Sequence, residues 1–372
     1  MKRSELGIFA VAFVWFTTHF GGGFASGRQV VDFFVSYGWY ALFTPILAIA
    51  IVTAALYYSW LYAAVYRTFD YREWSDRYFK PWEAFFSNVY EIIFILILLV
   101  ASAVAFATGG TVMAQILGTP YTVNTVIVAV CIFLLTIFGA DMVRRAATVM
   151  ALIIIAGMMI IYIANLAVNF PLLLEVLRTA PSPKGFWPAL WASLKYAGFQ
   201  TCVIGAYIAV ADVLETREDA ARTAGWGFVV NAGVLWLATA GVLLHYPAIL
   251  QEKVPALYIA QHGGGGSFGT AVVSFLIFLA VISTGVNLIF GGSRRIVVWW
   301  ARTHSTNAGT DRRVNIAASL VYVLITWGIA LFGLIPLVAK GYCYLGALSL
   351  PLLVLPVILI GILRSDGWKK ES

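Results

Sequence analysis

The chain has 372 residues, of which 61% are hydrophobic and 11% charged, and its net charge is +7. Soluble proteins carry about a quarter charged residues, so this composition excludes a soluble domain and predicts a protein embedded in a lipid bilayer. There the backbone must satisfy its own hydrogen bonds, which leaves helices or a closed barrel. The apolar runs at residues 92–107 and 127–138 are long and do not alternate, which favours helices.

A helix needs about 20 apolar residues to cross a bilayer, and ten segments meet this condition. They are residues 7–37, 40–66, 84–109, 122–140, 145–169, 187–213, 223–246, 267–299, 314–333 and 337–363. We therefore predict an all-α integral membrane protein with a single transmembrane domain over residues 1–372. The charged and aromatic residues 68–83 predict an interfacial helix on the inner side. Residues 255–261 predict a short helix on the outer side.

The distribution of basic residues predicts the orientation. With the N terminus inside, most of the 24 Lys and Arg residues fall in inner loops or at the span ends beside them. This is the positive-inside pattern, and it predicts that both termini are cytoplasmic. The basic charge is thus a topology signal, so the bilayer is an expected partner and nucleic acid is not.

The middle of the first span contains three consecutive glycines. Each glycine in a helix interior costs about 1 kcal/mol relative to alanine, and irregular backbone at membrane depth is tolerated where it lines a cavity. Transporters use such breaks to bind an anionic group and a cation, so we predict a broken helix and a substrate site. Close helix packing through Gly23 and Gly27 is the alternative. The substrate-binding candidates here are Thr18, His19, Gly21, Gly22, Gly23 and Phe24.

The sixth span is the counterpart of the first if the chain is a tandem of two five-helix halves, residues 7–169 and 187–363. Its middle is polar and contains glycine at positions 198 and 205. Paired interruptions in corresponding spans are the best sequence indication of a transporter site. Phe199, Gln200 and Thr201 are therefore predicted to shape the substrate pocket.

In the eighth span, Ala280, Ser283 and Thr284 are spaced i, i+3 and i+4, so they share one face of a helix. One carbonyl and two hydroxyl groups there could complete an oxygen shell around a small hard cation. The alternative is that both hydroxyls hydrogen-bond carbonyls of their own helix, as serine and threonine often do.

No enzyme motif stands out: the sequence has no phosphate loop, no metalloprotease motif and no Ser-His-Asp arrangement. Its three cysteines, Cys131, Cys202 and Cys343, lie in apolar runs without metal-ligand spacing. We predict that they are small buried hydrophobic residues. A catalytic activity and an enzymatic cofactor are not expected, which leaves a coupling ion as the predicted bound species.

These elements together resemble the leucine-transporter fold of the amino acid–polyamine–organocation superfamily and, more closely, the YkvI family of bacterial membrane proteins. The resemblance is carried by residues 21–27, with support from residues 283–287 and 338–346. It implies a 5+5 inverted repeat in a bacterial cytoplasmic membrane. It also implies a substrate held between breaks in helices 1 and 6.

The resemblance further implies one sodium position, at which carbonyls before the first break face the eighth span. Sodium-coupled relatives have an asparagine in the span-1 motif where this chain reads Gly23-Phe24, so a second sodium site is not implied. The residues carried over to the single sodium site are Thr17, Phe20, Ala280, Ser283 and Thr284.

Ionisable residues within spans are candidates for gating or coupling. Arg28 and Asp32 are spaced for a local ion pair or an external gate. Lys195 either extends towards the membrane surface or contacts the substrate or a gate carboxylate. Glu91 either relays protons, closes an inner gate or faces an inner vestibule, and His19 either titrates near neutral pH or offers a hydrogen bond.

The sequence thus predicts a secondary active transporter for a small polar solute, an amino acid or a related amine or organic acid. Sodium is the favoured coupling ion and the proton its rival. A sensor or receptor that keeps the transporter fold but moves no solute is the alternative from another class.

Overall fold

A computed structural model of the chain describes residues 3–138, 140–263, 265–304 and 312–368. The first half begins with a chain of short helices and continues with longer ones. Its helices are α1 (Arg3–His19), α2 (Gly22–Ala25), α3 (Arg28–Phe33), a 3-10 helix (Val35–Leu42), α4 (Thr44–Tyr66), α5 (Tyr71–Tyr78), α6 (Glu83–Leu117), α7 (Tyr121–Phe138), α8 (Ala140–Val168) and α9 (Phe170–Thr179).

The rest of the chain also begins with a divided helix and continues with longer ones, and the internal repeat stays a prediction. Its helices are α10 (Phe186–Thr201), α11 (Ile204–Ile208), a 3-10 helix (Ala211–Val213), α12 (Arg217–Leu243), a 3-10 helix (Ala248–Gln251), α13 (Pro255–His262), α14 (Gly266–His304), α15 (Arg312–Ala330), α16 (Leu334–Pro336), a π-helix (Leu337–Tyr342), α17 (Cys343–Ser349), a π-helix (Leu350–Val354), α18 (Leu355–Arg364) and a 3-10 helix (Ser365–Gly367).

Among the described residues, eight helical stretches are long and apolar enough to cross a membrane, so this is a multi-pass membrane protein. They correspond to eight of the ten predicted spans. The other two, residues 7–37 and 187–213, are the spans whose helices are divided in the structure. The count of ten spans stays a prediction, because neither divided span contains one helix of sufficient length.

Several predicted boundaries are wrong. The third span was expected to end at residue 109, but α6 continues to Leu117 because residues 111–117 contain no glycine or proline before Gly118. The first span was expected to extend to residue 37, whereas its last α-helix ends at Phe33 and a 3-10 helix follows. The predicted end of the fourth span lies beside residue 139, which is outside the described residues.

The two divided helices cross the centre of the protein. The segment α1–α3 packs against α12, α14 and α6, and α10 packs against α4 and α17. Gly198 and Gly346 permit the second contact, because a Cβ atom on Gly198 would lie 2.1 Å from the carbonyl oxygen of Gly346. The backbones of α10 and α17 are therefore in direct contact.

Two short helices cover the ends of this central segment. The predicted outer helix is present as α13, and the N–H of Ala256 donates to the carbonyl of Ser26 at 3.0 Å. The predicted interfacial helix is present as α5, and Asp70 caps its start by accepting from two backbone N–H groups. The outer helix thus lies directly over the segment that follows α2.

Candidate functional site

The first interruption, as we call residues 20–21, separates α1 from α2. Gly21 is extended, with φ −71° and ψ 177°, so the helical hydrogen-bond ladder stops. Its last bond runs from the N–H of Phe20 to the carbonyl of Phe16 at 3.1 Å. Within the described chain, the carbonyls of Thr17 and Phe20 accept no backbone hydrogen bond. The interruption therefore leaves free backbone acceptors in the interior of the protein.

These free groups open onto a cavity of about 310 Å³ between α1, α2, α10 and α14. Twelve of the fourteen predicted substrate and sodium residues line it. They are Thr17, Thr18, His19, Phe20, Gly21, Gly22, Gly23, Phe199, Gln200, Ala280, Ser283 and Thr284. The fold thus brings residues from both halves of the chain together in one cavity.

The other two predicted substrate residues lie outside this lining. Phe24 is fully buried and packs against Phe20 with ring centroids 4.3 Å apart. Thr201 is also fully buried, and its hydroxyl donates to the carbonyl of Gly198 at 2.8 Å. Both side chains support the walls of the cavity from behind.

The cavity also has lining residues that the sequence did not single out. Asn287 lies three residues after Thr284 on α14, so the helical spacing that selected Thr284 was a usable signal. Gln29 and Tyr342 line the cavity as well. They come from α3 and from a π-helix in the last span, and no local pattern in the sequence connects them with the site.

Two hydroxyls of α14 line the cavity, those of Ser283 and Thr284. Neither Ser283 nor Thr284 makes a hydrogen bond to another described residue, whereas Ser274 on the same helix donates to the carbonyl of Thr270 at 2.6 Å. A Cβ atom on Gly21 would lie 3.5 Å from the hydroxyl oxygen of Thr284. The alternative, in which these hydroxyls bond carbonyls of their own helix, is therefore not observed, and the Thr284 hydroxyl lies against the first interruption.

His19, at the end of α1, is held by two side chains and is only 4% exposed. Its Nδ1 lies 2.8 Å from the amide oxygen of Asn231, and its Nε2 lies 2.6 Å from the hydroxyl of Tyr196. Because the Asn231 nitrogen donates to the carbonyl of Gly227, its oxygen must accept, so Nδ1 carries the proton. Neutral His19 is thus fully satisfied when Tyr196 donates to Nε2.

On the predicted outer side, Arg28 and Asp32 form the predicted ion pair. The Nε of Arg28 donates to Asp32 at 3.0 Å, and both side chains are less than a tenth exposed. The guanidinium also donates to the carbonyls of Leu250 at 3.2 Å and Glu252 at 2.9 Å. Arg28 therefore fastens the outer loop to α3, above the cavity.

Lys195 is the other ionisable candidate of the outer half. Its side chain is partly buried and lies near the thiol of Cys343. Neither residue lines the cavity. Lys195 therefore lies beside α17 and does not face the groups of the first interruption.

Glu91 belongs to a polar cluster on the predicted inner side. Its carboxylate accepts from the hydroxyl of Tyr71 on α5 and lies 3.3 Å from Nη1 of Arg295 on α14. The guanidinium also stacks over the Tyr71 ring, 4.3 Å from its centroid. Burial and the bond to Glu91 raise the pKa of Tyr71 to about 12, so Tyr71 remains a proton donor at neutral pH.

The cysteines only partly match their prediction. Cys202 is buried, 2.9 Å from the hydroxyl of Ser349, but Cys131 is exposed on α7, so the prediction that all three are buried is wrong. All three are free thiols. Among the described residues there is no cluster of His, Cys, Asp and Glu side chains that could hold a metal ion.

No protein-family model matches the chain, and no curated protein sequence matches it. Solved structures do. A manganese transporter from Eremococcus coleocola, in complex with an aromatic bis-isothiourea substituted compound, is 12% identical with a TM-score of 0.54 over 98% of this chain and 86% of that one. A Na+-coupled sialic acid symporter in a substrate-bound outward-open state is 10% identical with a TM-score of 0.54 over 99% and 98%.

Both similar structures are membrane transporters rather than enzymes, and the likeness extends over nearly the whole chain. The chain therefore has the leucine-transporter fold, as its resemblance to the superfamily predicted. At these identities the likeness shows the fold alone. Membership of the YkvI family stays a prediction.

Proposed function

We propose that the chain is a secondary active transporter that moves a small polar solute by alternating access, with sodium as its coupling ion. The observation that carries the proposal is the set of unpaired oxygen atoms in the central cavity. These oxygens have no partner among the described residues and converge on one space, which is the arrangement in which transporters with interrupted helices hold a cation.

The composition of this set favours sodium. It combines the free carbonyls of Thr17 and Phe20 with the free hydroxyls of Ser283 and Thr284, and the carbonyl of Ala280 lies on the same face of α14. Transporters with interrupted helices coordinate Na⁺ through such unwound carbonyls. One of the similar structures is a sodium-coupled symporter, which agrees with this assignment.

The cavity is poorly suited to a divalent transition metal, although another similar structure is a manganese transporter. Its described lining contains no carboxylate, thiol or thioether. Manganese and related ions prefer sites that include carboxylate or imidazole ligands. His19 is the one such residue in the described lining, and both of its ring nitrogens already have partners. An organic solute fits better.

The shape of the cavity is consistent with one state of an alternating-access cycle. Thr18 and Asn287 line it and are exposed, although both lie within spans, so the cavity admits solvent. It extends along Phe13 and Leu288, towards the end of the protein that carries the N terminus. On the opposite side, the Arg28 contacts and α13 cover it. In the predicted orientation, this state is open to the cytoplasm and closed to the outside.

Proton coupling is the rival within the same class. It would require His19 or Glu91 to take up and release protons during transport. Neutral His19 already has both ring nitrogens paired, and Glu91 is paired with Tyr71 and Arg295. These contacts favour structural roles, so sodium coupling has the stronger support.

The test is thermal unfolding of the purified protein in NaCl, KCl and choline chloride at equal ionic strength. A ligand that binds only the folded state raises its melting temperature, so sodium alone is expected to raise it by several degrees. Replacing Ser283→Ala together with Thr284→Ala should abolish the rise. Ser274→Ala is the matched control on the same helix and should keep it. No sodium-specific rise in the wild type, or a full rise in the double variant, contradicts the proposal.

A further inference from the structure

A second concave surface lies outside the central cavity, between α18 and the turn that joins α5 to α6. It is an open groove of about 920 Å³ with mostly apolar walls. The wall on the α5–α6 side is largely aromatic, and the wall formed by α18 is largely aliphatic. We call it the basic groove and define it by Lys80, Trp82 and Phe85 on one wall and Leu359, Leu363 and Arg364 on the other.

The length of the basic groove matches the depth of one bilayer leaflet. Its lining residues on α18 run from Leu355 to Arg364 as neighbouring pairs that recur every four residues, so they share one face of the helix. At a rise of about 1.5 Å per residue, this stretch is about 14 Å long. That is close to half of the roughly 30 Å hydrocarbon core of a bilayer. The groove therefore has room along α18 for an acyl chain of one leaflet.

Two hydrogen bonds hold the walls of the basic groove together. The hydroxyl of Tyr78, at the end of α5, donates to the carbonyl of Val357 on α18 at 2.7 Å. The Nη1 of Arg364 donates to the carbonyl of Lys80, also at 2.7 Å. These bonds fix the turn between α5 and α6 against α18, so the groove is already formed without a ligand.

Two cations lie at one end of the basic groove. Lys80 and Arg364 are exposed, and neither forms an ion pair with another described residue. The acidic residues that follow them in the sequence, Glu83 and Asp366, do not line the groove, and its described lining contains no carboxylate. In the predicted orientation this end lies at the cytoplasmic surface, where the leaflet carries anionic lipids. The charge of the groove is therefore complementary to that of an anionic head group.

Another apolar groove of the protein lacks such charges. It lies between α1 and α12, has a volume of about 360 Å³, and is bordered by Phe9, Phe16 and Trp226. Its described lining contains no charged residue. A lipid chain fits against either surface, but of these two grooves the basic groove is the one that distinguishes lipids by the charge of their head groups.

We propose that the basic groove binds one anionic phospholipid of the bilayer, with the head-group phosphate against Lys80 and Arg364 and an acyl chain along α18. Basic pockets at the cytoplasmic ends of membrane helices bind anionic head groups in this way. A zwitterionic phospholipid also carries a phosphate, but its own ammonium group offsets that charge, so it binds here more weakly. This site is separate from the central cavity and does not depend on the proposed transport function.

Native mass spectrometry of the purified protein tests the proposal, with titrations of phosphatidylglycerol and of phosphatidylcholine that carry the same acyl chains. The wild type should bind phosphatidylglycerol at the lower half-saturating concentration. Lys80→Gln keeps the bond from Arg364 to the backbone and should raise that concentration about fivefold, and Lys80→Gln with Arg364→Gln about 30-fold. Leu359→Trp keeps both cations but fills the groove, so it should weaken the binding of phosphatidylglycerol as well.

Arg178→Gln with Arg222→Gln changes the net charge equally at exposed positions outside the groove, and this control should bind like the wild type. Equal binding of the two lipids by the wild type overturns the proposal. An equal loss in the control variant would assign the preference to overall charge, which also overturns it. Unchanged binding by Leu359→Trp overturns the groove as the binding place. The sodium response is measured separately, so its failure leaves this result standing.

Discussion

The two divided helices differ in the hydrogen-bond partners of the backbone groups that each break leaves free. We call residues 202–203, between α10 and α11, the second interruption. There the N–H of Gly205 donates to the hydroxyl of Tyr90 at 2.6 Å, and the thiol of Cys202 lies 2.9 Å from the hydroxyl of Ser349. At the first interruption, no side chain in the described part of the protein supplies such a bond to the carbonyls of Thr17 and Phe20.

This difference suggests a test of which interruption takes part in binding. Both interruptions lie in the interior, and both remove helical hydrogen bonds. At the second one, the Tyr90 hydroxyl of α6 accepts from one of the freed N–H groups, that of Gly205. At the first one, the lost bonding is left open towards α14, where two further hydroxyls are unpaired. We therefore expect the ion to bind at the first interruption.

The largest expected effect comes from the close packing near the second interruption. Gly198→Ala would place a Cβ atom 2.1 Å from the carbonyl oxygen of Gly346, which is backbone and cannot move cheaply. Overpacking of this kind should lower the free energy of unfolding by about 3 kcal/mol or more, measured as loss of folded protein and of melting temperature. Gly233→Ala has no atom within 4 Å and is the control, with a change within about 1 kcal/mol. Equal behaviour of the two variants contradicts the packing.

The next largest effect is expected at Tyr90, whose hydroxyl accepts from the N–H of Gly205 at the second interruption. Tyr90→Phe leaves the buried N–H of Gly205 without an acceptor, so the free energy of unfolding should fall by about 1–3 kcal/mol. Tyr162→Phe removes a fully buried hydroxyl that has no partner among the described residues, so it should be neutral or slightly stabilising. Thermal unfolding distinguishes the two, and a loss of the same size in both would refute the capping role of Tyr90.

A small substitution at the first interruption should leave the stability of the protein nearly unchanged but weaken its response to sodium. Gly21 has a negative φ, and a Cβ atom there would lie 3.4 Å from the Thr284 methyl group, an ordinary contact. Gly21→Ala should therefore change stability by less than about 1 kcal/mol while it reduces the sodium-induced rise in melting temperature. Destabilisation as large as that of Gly198→Ala would show that the first interruption is close-packed rather than open.

The smallest expected effect is at the inner cluster beside the second interruption. The Glu91–Arg295 pair is about a third exposed, and solvent screens such pairs, so their coupling should be below about 1 kcal/mol. A double-mutant cycle with Glu91→Gln and Arg295→Gln measures it. A coupling of several kcal/mol would mean that this pair, rather than the backbone contacts, holds the segment around Gly205 in place.

The first interruption, the two α14 hydroxyls and most of the spans can be predicted from the sequence for physical reasons. Consecutive glycines in an apolar span are unfavourable, so Gly21 to Gly23 mark an interruption without any knowledge of the fold. The spacing of Ser283 and Thr284 places both hydroxyls on one helix face in any helix. The apolar length of the spans is set by the bilayer, which is why eight of them appear as continuous helices.

Other features depend on contacts between distant segments. Thr201 looks like a pocket residue by position, but whether its hydroxyl faces a solute or its own helix is decided by the packing of α10 on α17. Gln29 follows an arginine in an amphipathic pattern, and only the path of α3 past Gly23 places it at the cavity. Likewise, His19 is paired because Asn231 and Tyr196 meet it from two other helices.

Amide hydrogen exchange with and without sodium tests the central claim most directly. Peptides covering residues 17–27 report on the first interruption, peptides covering residues 199–208 on the second, and peptides covering residues 278–290 on the facing part of α14. The account predicts that NaCl, relative to KCl, slows exchange in the first and third groups and leaves the second unchanged. Slower exchange confined to the second interruption, or no difference between the two salts, would contradict it.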